Sequence, residues 1–331
     1  MSTPGTTNSR SLILNKRSAR NDGSETIRSS ALGGRAIRCD IVRETYDFGP
    51  WRLTDEVAQS RFTRVYRARS ADVSSDGPAN YIVKVARQEE DISDWAQKLL
   101  ATEAWVGKTV GCRHLIPVIA GRTSISPYFT VTPWLEGSTL GVLTNNRGQT
   151  ARLPHSRILW LVRQVCEALD ALYQAGWTHG DVKPENIHLS PTGHVTLLDL
   201  CYARRLDAAA DMSDCPVFGT LNYAAPELFS SPSYHDARSD VYSLGVVLYE
   251  LFVGRKPFVS NDTRQLIRLH REHLAPDPRR FNPSIPDQLV RLLRSMLAKD
   301  PLRRPQSPAE MIESLARLEI ETIDLNELAT P

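Results

Sequence analysis

The strongest constraint in this sequence is a polar run that lies between two apolar stretches. Residues 179–186 read His-Gly-Asp-Val-Lys-Pro-Glu-Asn, and a further acid, Asp199, follows downstream. The run holds a carboxylate, an ammonium and an amide close together, at Asp181, Lys183 and Asn186. Together with a second carboxylate, these are the groups that a site needs to move a phosphoryl group from a magnesium-bound nucleotide to a hydroxyl. Each residue type alone is common in polar loops, so the inference depends on the combination.

The residues between the two acids predict a β-hairpin. Residues 187–189 and 195–198 are short β-rich runs, and residues 191–193 between them read as a turn. The hairpin would bring Asp199 back to the edge of the sheet where Asn186 lies. Upstream, apolar residues recur at helical spacing and predict a long buried helix. These residues are Ile158, Leu159, Leu161, Val162, Val165, Ala168, Leu169 and Leu172.

Residues 46–131 read as strands with one helix, and a lysine and a glutamate there predict a buried ion pair. Lys84 lies inside the β-rich run 81–85. Glu103 lies on the apolar face of the predicted helix 94–107. That face also carries Ala96, Leu99, Leu100 and Val106. A carboxylate facing a core is costly unless it meets a cation, and Lys84 is the natural partner. The alternative is an exposed Glu103 at the margin of the helix.

Composition excludes several other classes of protein. The 331 residues are 41% hydrophobic and 24% charged, which is typical of soluble globular proteins. A net charge of +2 argues against a dedicated nucleic-acid binder. The five cysteines are scattered and form no CxxC pair, which favours a cytoplasmic location without a zinc site. No apolar run approaches the length of about 20 residues that a membrane span needs. The sequence does not specify an oligomeric state.

Over about residues 46–318, the chain resembles the eukaryotic-type serine/threonine protein kinases. Lys84 matches the family's strand lysine, and Glu103 matches its helix glutamate. Three catalytic-loop residues are matched by Asp181, Lys183 and Asn186, and the metal-binding acid is matched by Asp199. Residues 225–227 (Ala-Pro-Glu), Asp240 and Arg304 resemble residues that support the activation segment and the catalytic loop. A lysine two places after the catalytic aspartate is the pattern of serine/threonine kinases rather than tyrosine kinases.

The resemblance implies an α+β, two-lobed protein-kinase-like fold. A small β-rich N-lobe would span residues 46–136, and a larger helical C-lobe would span residues 137–318. We expect a disordered basic N-terminal arm at residues 1–45, where Arg and Lys outnumber Asp and Glu among many Ser and Thr residues. Residues 319–331 would form a short tail.

The implied reaction transfers the γ-phosphoryl group of MgATP to a serine or threonine hydroxyl of a protein. Asp181 would orient the hydroxyl and accept its proton. The other implied catalytic residues are Lys84, Glu103, Lys183 and Thr220, and the implied Mg²⁺ ligands are Asn186 and Asp199. The implied ATP contacts are Ala58, Ser60, Thr63 and Val65 in the phosphate-covering loop, Lys84, the hinge residues Thr132, Pro133 and Leu135, and again Asn186 and Asp199.

The sequence departs from the family in three places. Ala58, Ser60 and Thr63 occupy positions where the phosphate-covering loop normally carries glycine. Their β-carbons should stiffen the loop, so we expect weaker ATP binding. Gly180 replaces an arginine that clamps an activation-segment phosphate in relatives, so activity should not need phosphorylation by that route. Cys201 replaces a glycine near the metal-binding acid, and we expect it to be a buried, unreactive thiol.

Two alternative functions follow from these departures. A pseudokinase that serves as a scaffold would explain the glycine-poor loop, but the complete set of charged residues opposes it. A phosphotransferase for small molecules, of the aminoglycoside and choline type, would explain the His-Gly-Asp run. Lys183, residues 225–227 and Arg304 favour the protein kinase instead.

Overall fold

The computed structural model describes most of the chain beyond the predicted N-terminal arm. The described ranges are residues 46–74, 77–89, 92–145, 153–207, 220–230 and 235–322. The predicted arm at residues 1–45 and most of the predicted tail lie outside the described residues. None of the helices in these ranges combines the length and the apolar character that crossing a bilayer requires.

The N-terminal part is an antiparallel sheet with one helix. Its strands are β1 (Tyr46–Phe48), β2 (Trp51–Gln59), β3 (Thr63–Ser70), β4 (Tyr81–Ala86), β5 (Ala120–Arg122) and β6 (Phe129–Pro133). They form a six-stranded sheet in the order β1-β2-β3-β4-β6-β5. Alternate side chains of a strand face opposite sides, and Ala68, Val83 and Val131 are fully buried in one apolar cluster. Helix α1 (Ser93–Thr109) packs against β4 and β6.

The C-terminal part is mainly helical. Its helices are α2 (Leu140–Asn145), α3 (His155–Gln174), α4 (Ala237–Val253), α5 (Thr263–Glu272), α6 (Asp287–Met296) and α7 (Pro308–Glu321). One short strand, β7 (Ser138–Thr139), precedes α2. Four more lie between α3 and α4, namely β8 (Trp177–Thr178), β9 (Ile187–Leu189), β10 (Val195–Leu197) and β11 (Arg204–Arg205). They form a three-stranded sheet in the order β10-β9-β7 and the pair β11-β8.

Helix α4 is the centre of the C-terminal core, and both of its ends are defined by the sequence. Asp236 caps the first turn and forms a capping box with Ser239. Gly254 ends the helix in a left-handed conformation with φ of 74°. Almost every residue between these ends is buried, as expected for a helix that is apolar on all sides. The N-terminal cap places Asp240 in the first turn, where it is close to the polar run.

Helix α7 extends beyond the end expected from the sequence. The apolar pattern predicts a helix over residues 308–318, but the helix continues to Glu321. The continuation is stabilised by an ion pair, because Nε of Arg163 on α3 lies 2.9 Å from Oε2 of Glu319. The contact joins α7 to the long helix that precedes the polar run.

The two parts are joined at the predicted hairpin, which is the pair β9–β10. The amide of Leu197 donates to the carbonyl of His114 over 2.8 Å, and the amide of Ile116 donates to the carbonyl of Leu197 over 3.0 Å. The segment that follows α1 is therefore hydrogen-bonded to the strand that leads to Asp199. This arrangement holds α1 in position relative to the hairpin.

Candidate active site

Lys84 of β4 contacts two carboxylates that come from separate elements. Its Nζ lies 2.6 Å from Oε1 of Glu103 on α1 and 2.9 Å from Oδ1 of Asp199 after β10. Glu103 is only 2% exposed. The structure thus brings together three residues that the sequence analysis assigned to the site, although they lie far apart in the chain.

The charges in this cluster stabilise one another. Burial acts to lower the pKa of Lys84, but the carboxylates of Asp199 and Glu103 outweigh it and hold that pKa well above its ordinary value. Burial acts to raise the pKa of Asp199, but the Lys84 ammonium outweighs it and holds that pKa below its ordinary value. Lys84 is therefore protonated and Asp199 ionised at neutral pH.

Thr130 of β6 completes the environment of Glu103. Its Oγ1 donates to Oε2 of Glu103 over 2.7 Å, and both residues are buried. Thr130 pairs directly with Lys84 in the sheet register. Thr130 is not among the site residues that the sequence predicted. A hydroxyl residue inside the apolar strand 129–131 indicates a buried hydrogen bond. Residue spacing does not show that its partner is Glu103.

Cys201 also lies against this cluster, with its Sγ 3.6 Å from Nζ of Lys84. Burial raises the pKa of the thiol, and the charge of Glu103 raises it further, so Cys201 is a neutral thiol. Glu103, Asp199 and Cys201 have ligand atoms within 4.8 Å of one another. They surround the Lys84 ammonium, which accounts for their convergence without a metal ion.

The carboxylate of Asp181 is held by the residues of its own loop. Oδ2 accepts from Nζ of Lys183 over 2.5 Å and from Nδ2 of Asn186 over 3.0 Å. Nδ2 of Asn186 also donates to the backbone oxygen of Asp181 over 2.8 Å. Oδ1 accepts only the backbone amide of Thr220, at 3.3 Å, among the described residues. Thr220, which the resemblance implied as a catalytic residue, therefore contacts Asp181 through its backbone amide.

His179 and Asp240 fix the backbone of this loop. The carboxylate of Asp240 accepts the amides of His179, over 2.7 Å, and of Gly180, over 3.0 Å. Nδ1 of His179 accepts the amide of Asp181, so its proton is on Nε2, which donates to the carbonyl of Leu198 over 2.9 Å. This fully buried imidazole links the loop to the segment that carries Asp199.

Gly180 has a geometric requirement that explains the departure from arginine at this position. Its φ is 82°, which lies in the left-handed region that favours glycine. A β-carbon on Gly180 would lie 2.3 Å from the carbonyl oxygen of Tyr202. Any larger residue would therefore have to displace the backbone at Tyr202.

Asn186 and Asp199 are close in space and each offers an oxygen. The amide of Leu198 donates to the backbone oxygen of Asn186 over 2.8 Å, as the predicted hairpin requires. Because Nδ2 of Asn186 faces Asp181, its Oδ1 points away from that residue. Oδ2 of Asp199 accepts no hydrogen bond from the described residues, since Lys84 and the Cys201 amide contact Oδ1. Within the described part of the chain, neither Oδ1 of Asn186 nor Oδ2 of Asp199 has a hydrogen-bond partner, and hard oxygens of this kind fit Mg²⁺.

The residues expected to contact ATP lie on neighbouring strands of the sheet and just beyond their ends. Ala58 and Val65 pair with each other across β2 and β3, and Val65 pairs with Lys84. Thr132 and Pro133 end β6, and beyond them Leu135 packs against the C-terminal core. Ser60 and Thr63 flank the turn of the β2–β3 hairpin and are hydrogen-bonded to each other.

A buried ion pair joins the Ala-Pro-Glu run at residues 225–227 to the segment that precedes α7. Arg304 is fully buried, and its Nη1 and Nη2 lie 2.7 and 2.8 Å from the two carboxylate oxygens of Glu227. The Ser239 hydroxyl donates to the same carboxylate over 2.7 Å. Burial acts to raise the pKa of Glu227, but the Arg304 bonds outweigh it and hold that pKa below its ordinary value.

Comparison with known proteins identifies the family. The chain matches the protein kinase domain family over residues 52–315. It is 28% identical to the serine/threonine-protein kinase TIO of Arabidopsis thaliana over 70% of this chain and 16% of that protein. It is 29% identical to PknD of Mycobacterium tuberculosis over 72% of this chain and 34% of that protein. It is 35% identical to PknL of Mycobacterium bovis over 62% of this chain and 50% of that protein.

The chain spans half or less of the length of these relatives. All three are named serine/threonine-protein kinases. The family match covers most of the chain and confirms the two-lobed α+β fold that the sequence predicted. The chain belongs to the protein kinase domain family.

Proposed function

We propose that this protein transfers the γ-phosphoryl group of MgATP to serine or threonine hydroxyls of protein substrates. The observation that carries the proposal is the carboxylate of Asp181. One of its oxygens is held by Lys183 and Asn186, while the other contacts only a backbone amide among the described residues. That second oxygen is therefore available to a substrate hydroxyl.

Each polar residue of the site has a role in this proposal. Asp181 orients the hydroxyl and accepts its proton as the new O–P bond forms, while the bond from the γ-phosphorus to the β-phosphate oxygen breaks and ADP leaves. Lys84, held by Glu103, neutralises negative charge on the phosphate oxygens of the nucleotide. Lys183 neutralises the charge that develops on the transferred phosphoryl group. Asn186 and Asp199 would hold Mg²⁺ through their free oxygens. A metal ion held there would supply positive charge against the charge that develops on the phosphate oxygens.

Protein substrates are supported by Lys183, which stands two places after Asp181, and by the names of the relatives. A cytoplasmic location is part of the proposal, because the cysteines are scattered and unpaired in sequence. The boundary between the lobes at residues 136 and 137 also stays a prediction from the sequence.

Asp181→Asn tests the proposal, because it keeps the shape of the side chain and removes the base. Transfer of radiolabel from ATP to a generic basic protein should fall by about 10²- to 10⁴-fold. MgATP should still raise the melting temperature, since it binds only the folded state. Asp170→Asn is the matched control, because Asp170 lies on α3 and accepts only from Gln174 among the described residues.

Other outcomes would favour the alternatives. Near-normal transfer by Asp181→Asn would rule out Asp181 as the base. Wild-type protein that is stabilised by MgATP but phosphorylates nothing would indicate a scaffold. Transfer to amino sugars or choline, with none to protein, would indicate a kinase for small molecules.

A further inference from the structure

The turn between β2 and β3 satisfies its own backbone amides with a side chain. Oγ of Ser60 accepts the amide of Phe62 over 3.2 Å and the amide of Thr63 over 3.0 Å. The turn is closed by a backbone hydrogen bond of 2.8 Å from the amide of Ser60 to the carbonyl of Thr63. Two neighbouring N–H groups thus converge on one hydroxyl oxygen.

Convergent backbone amides of this kind form a site for an anion. In the proposed function this loop covers the nucleotide phosphates, so a phosphate oxygen is the natural acceptor for these two amides. An anionic oxygen is a stronger acceptor than a neutral hydroxyl. It must nevertheless displace the hydroxyl, so part of its interaction energy is lost in the exchange.

We infer that Ser60 is an internal competitor for the phosphates of the nucleotide. Its hydroxyl occupies the two amides when the site is empty and must rotate away when a phosphate binds. The inference rests on the proposed nucleotide site and concerns the selectivity of that site. It means that the phosphates add less to affinity here than in a loop with glycine at this position, because glycine has no hydroxyl to compete.

The turn does not depend on the Ser60 hydroxyl for its position. Phe62 is 3% exposed and packs in a cluster that includes Ala86, Leu99 and Cys201. The amide of Arg87 donates to the carbonyl of Phe62 over 2.8 Å. These contacts remain when the hydroxyl is removed, so Ser60→Ala should free the two amides without releasing the turn.

Calorimetric titration of wild type and Ser60→Ala with adenosine and with MgATP tests the inference. The ratio of the adenosine Kd to the MgATP Kd measures the contribution of the phosphates. In Ser60→Ala this ratio should rise about tenfold, since the competing acceptor is gone, while the adenosine Kd stays the same. Thr54→Val is the control, because the Thr54 hydroxyl donates to the Arg67 carbonyl in the same two strands. It should leave the ratio at the wild-type value.

An unchanged or lower ratio in Ser60→Ala would overturn the inference, and a lower ratio would mean that the hydroxyl donates to a phosphate instead. Hydrogen exchange gives an independent measurement. The Phe62 and Thr63 amides should be protected in the free wild type, exchange faster in free Ser60→Ala, and regain protection with MgATP. Equal protection in the two free proteins would also contradict the inference. If neither adenosine nor MgATP binds the wild type, the proposed nucleotide site itself fails.

Discussion

The Thr130 hydroxyl should have a measurable share in the stability of the buried Lys84–Glu103 pair. Thr130→Val keeps the shape of the side chain and removes the donor that lies 2.7 Å from Oε2 of Glu103. Thr130 is 1% exposed and Glu103 is 2% exposed, so solvent cannot replace the lost donor without opening the structure. A hydrogen bond to a charged group contributes about 1.5–3 kcal/mol, and we expect the free energy of unfolding to fall by about 2 kcal/mol.

Thermal unfolding measures this change. At about 2–4 °C per kcal/mol for a protein of this size class, the melting temperature should fall by roughly 4–8 °C. Thr54→Val is the matched control, since its half-buried hydroxyl donates to a neutral carbonyl over 3.1 Å. The control should lose at most about 1 kcal/mol, the ordinary net value of a neutral hydrogen bond. Phosphoryl transfer should fall in Thr130→Val and not in Thr54→Val, because only Thr130 holds the glutamate that positions Lys84.

Equal melting temperatures for Thr130→Val and Thr54→Val would refute this reasoning. That result would mean that Glu103 finds another donor at no cost, or that the 2.7 Å contact adds nothing beyond a half-buried hydrogen bond to a neutral carbonyl. A fall in stability with unchanged transfer would separate the structural role of Thr130 from any effect on Lys84.

Two further predictions concern the backbone at Gly180 and the pH dependence of the Arg304–Glu227 ion pair. Gly180→Ala should lower the urea midpoint more than Gly176→Ala. Both glycines have positive φ, which costs alanine about 1–2 kcal/mol. Of the two, only Gly180 would place a β-carbon against another atom, the carbonyl oxygen of Tyr202 at 2.3 Å. Equal urea midpoints for the two variants would contradict this prediction. Arg304→Met should cost about 3–5 kcal/mol at pH 7, because it leaves the Glu227 carboxylate buried without its cation. The pKa of Glu227 is lowered in the folded state, so the pair stabilises the fold above the unfolded pKa, and this stability is lost as the pH falls through the folded pKa. The difference between wild type and Arg304→Met in urea unfolding should therefore shrink from pH 7 to pH 4, and a constant difference would show that the ion pair is not its source.

Much of the fold was predictable from the sequence because it depends on local periodicity. The apolar face over residues 94–107 corresponds to α1, and the β-rich runs around the turn at residues 191–193 correspond to β9 and β10. The loop from Asp181 to Asn186 was predictable for a similar reason. Its three polar side chains lie within a few residues of one another, so their hydrogen bonds follow from the course of a single loop.

The tertiary structure alone decided which distant groups meet. Lys84 and Asp199 are 115 residues apart, and their contact requires the segment that follows the hairpin to pack beside β4. The donor from Thr130 to Glu103 and the close approach of Gly180 to Tyr202 depend on distances between elements, which residue spacing does not encode. The sequence therefore determined the chemical groups and the local elements that carry them. Packing decided their partners, because burial leaves each charge or donor only the few neighbours that the fold brings within hydrogen-bonding distance.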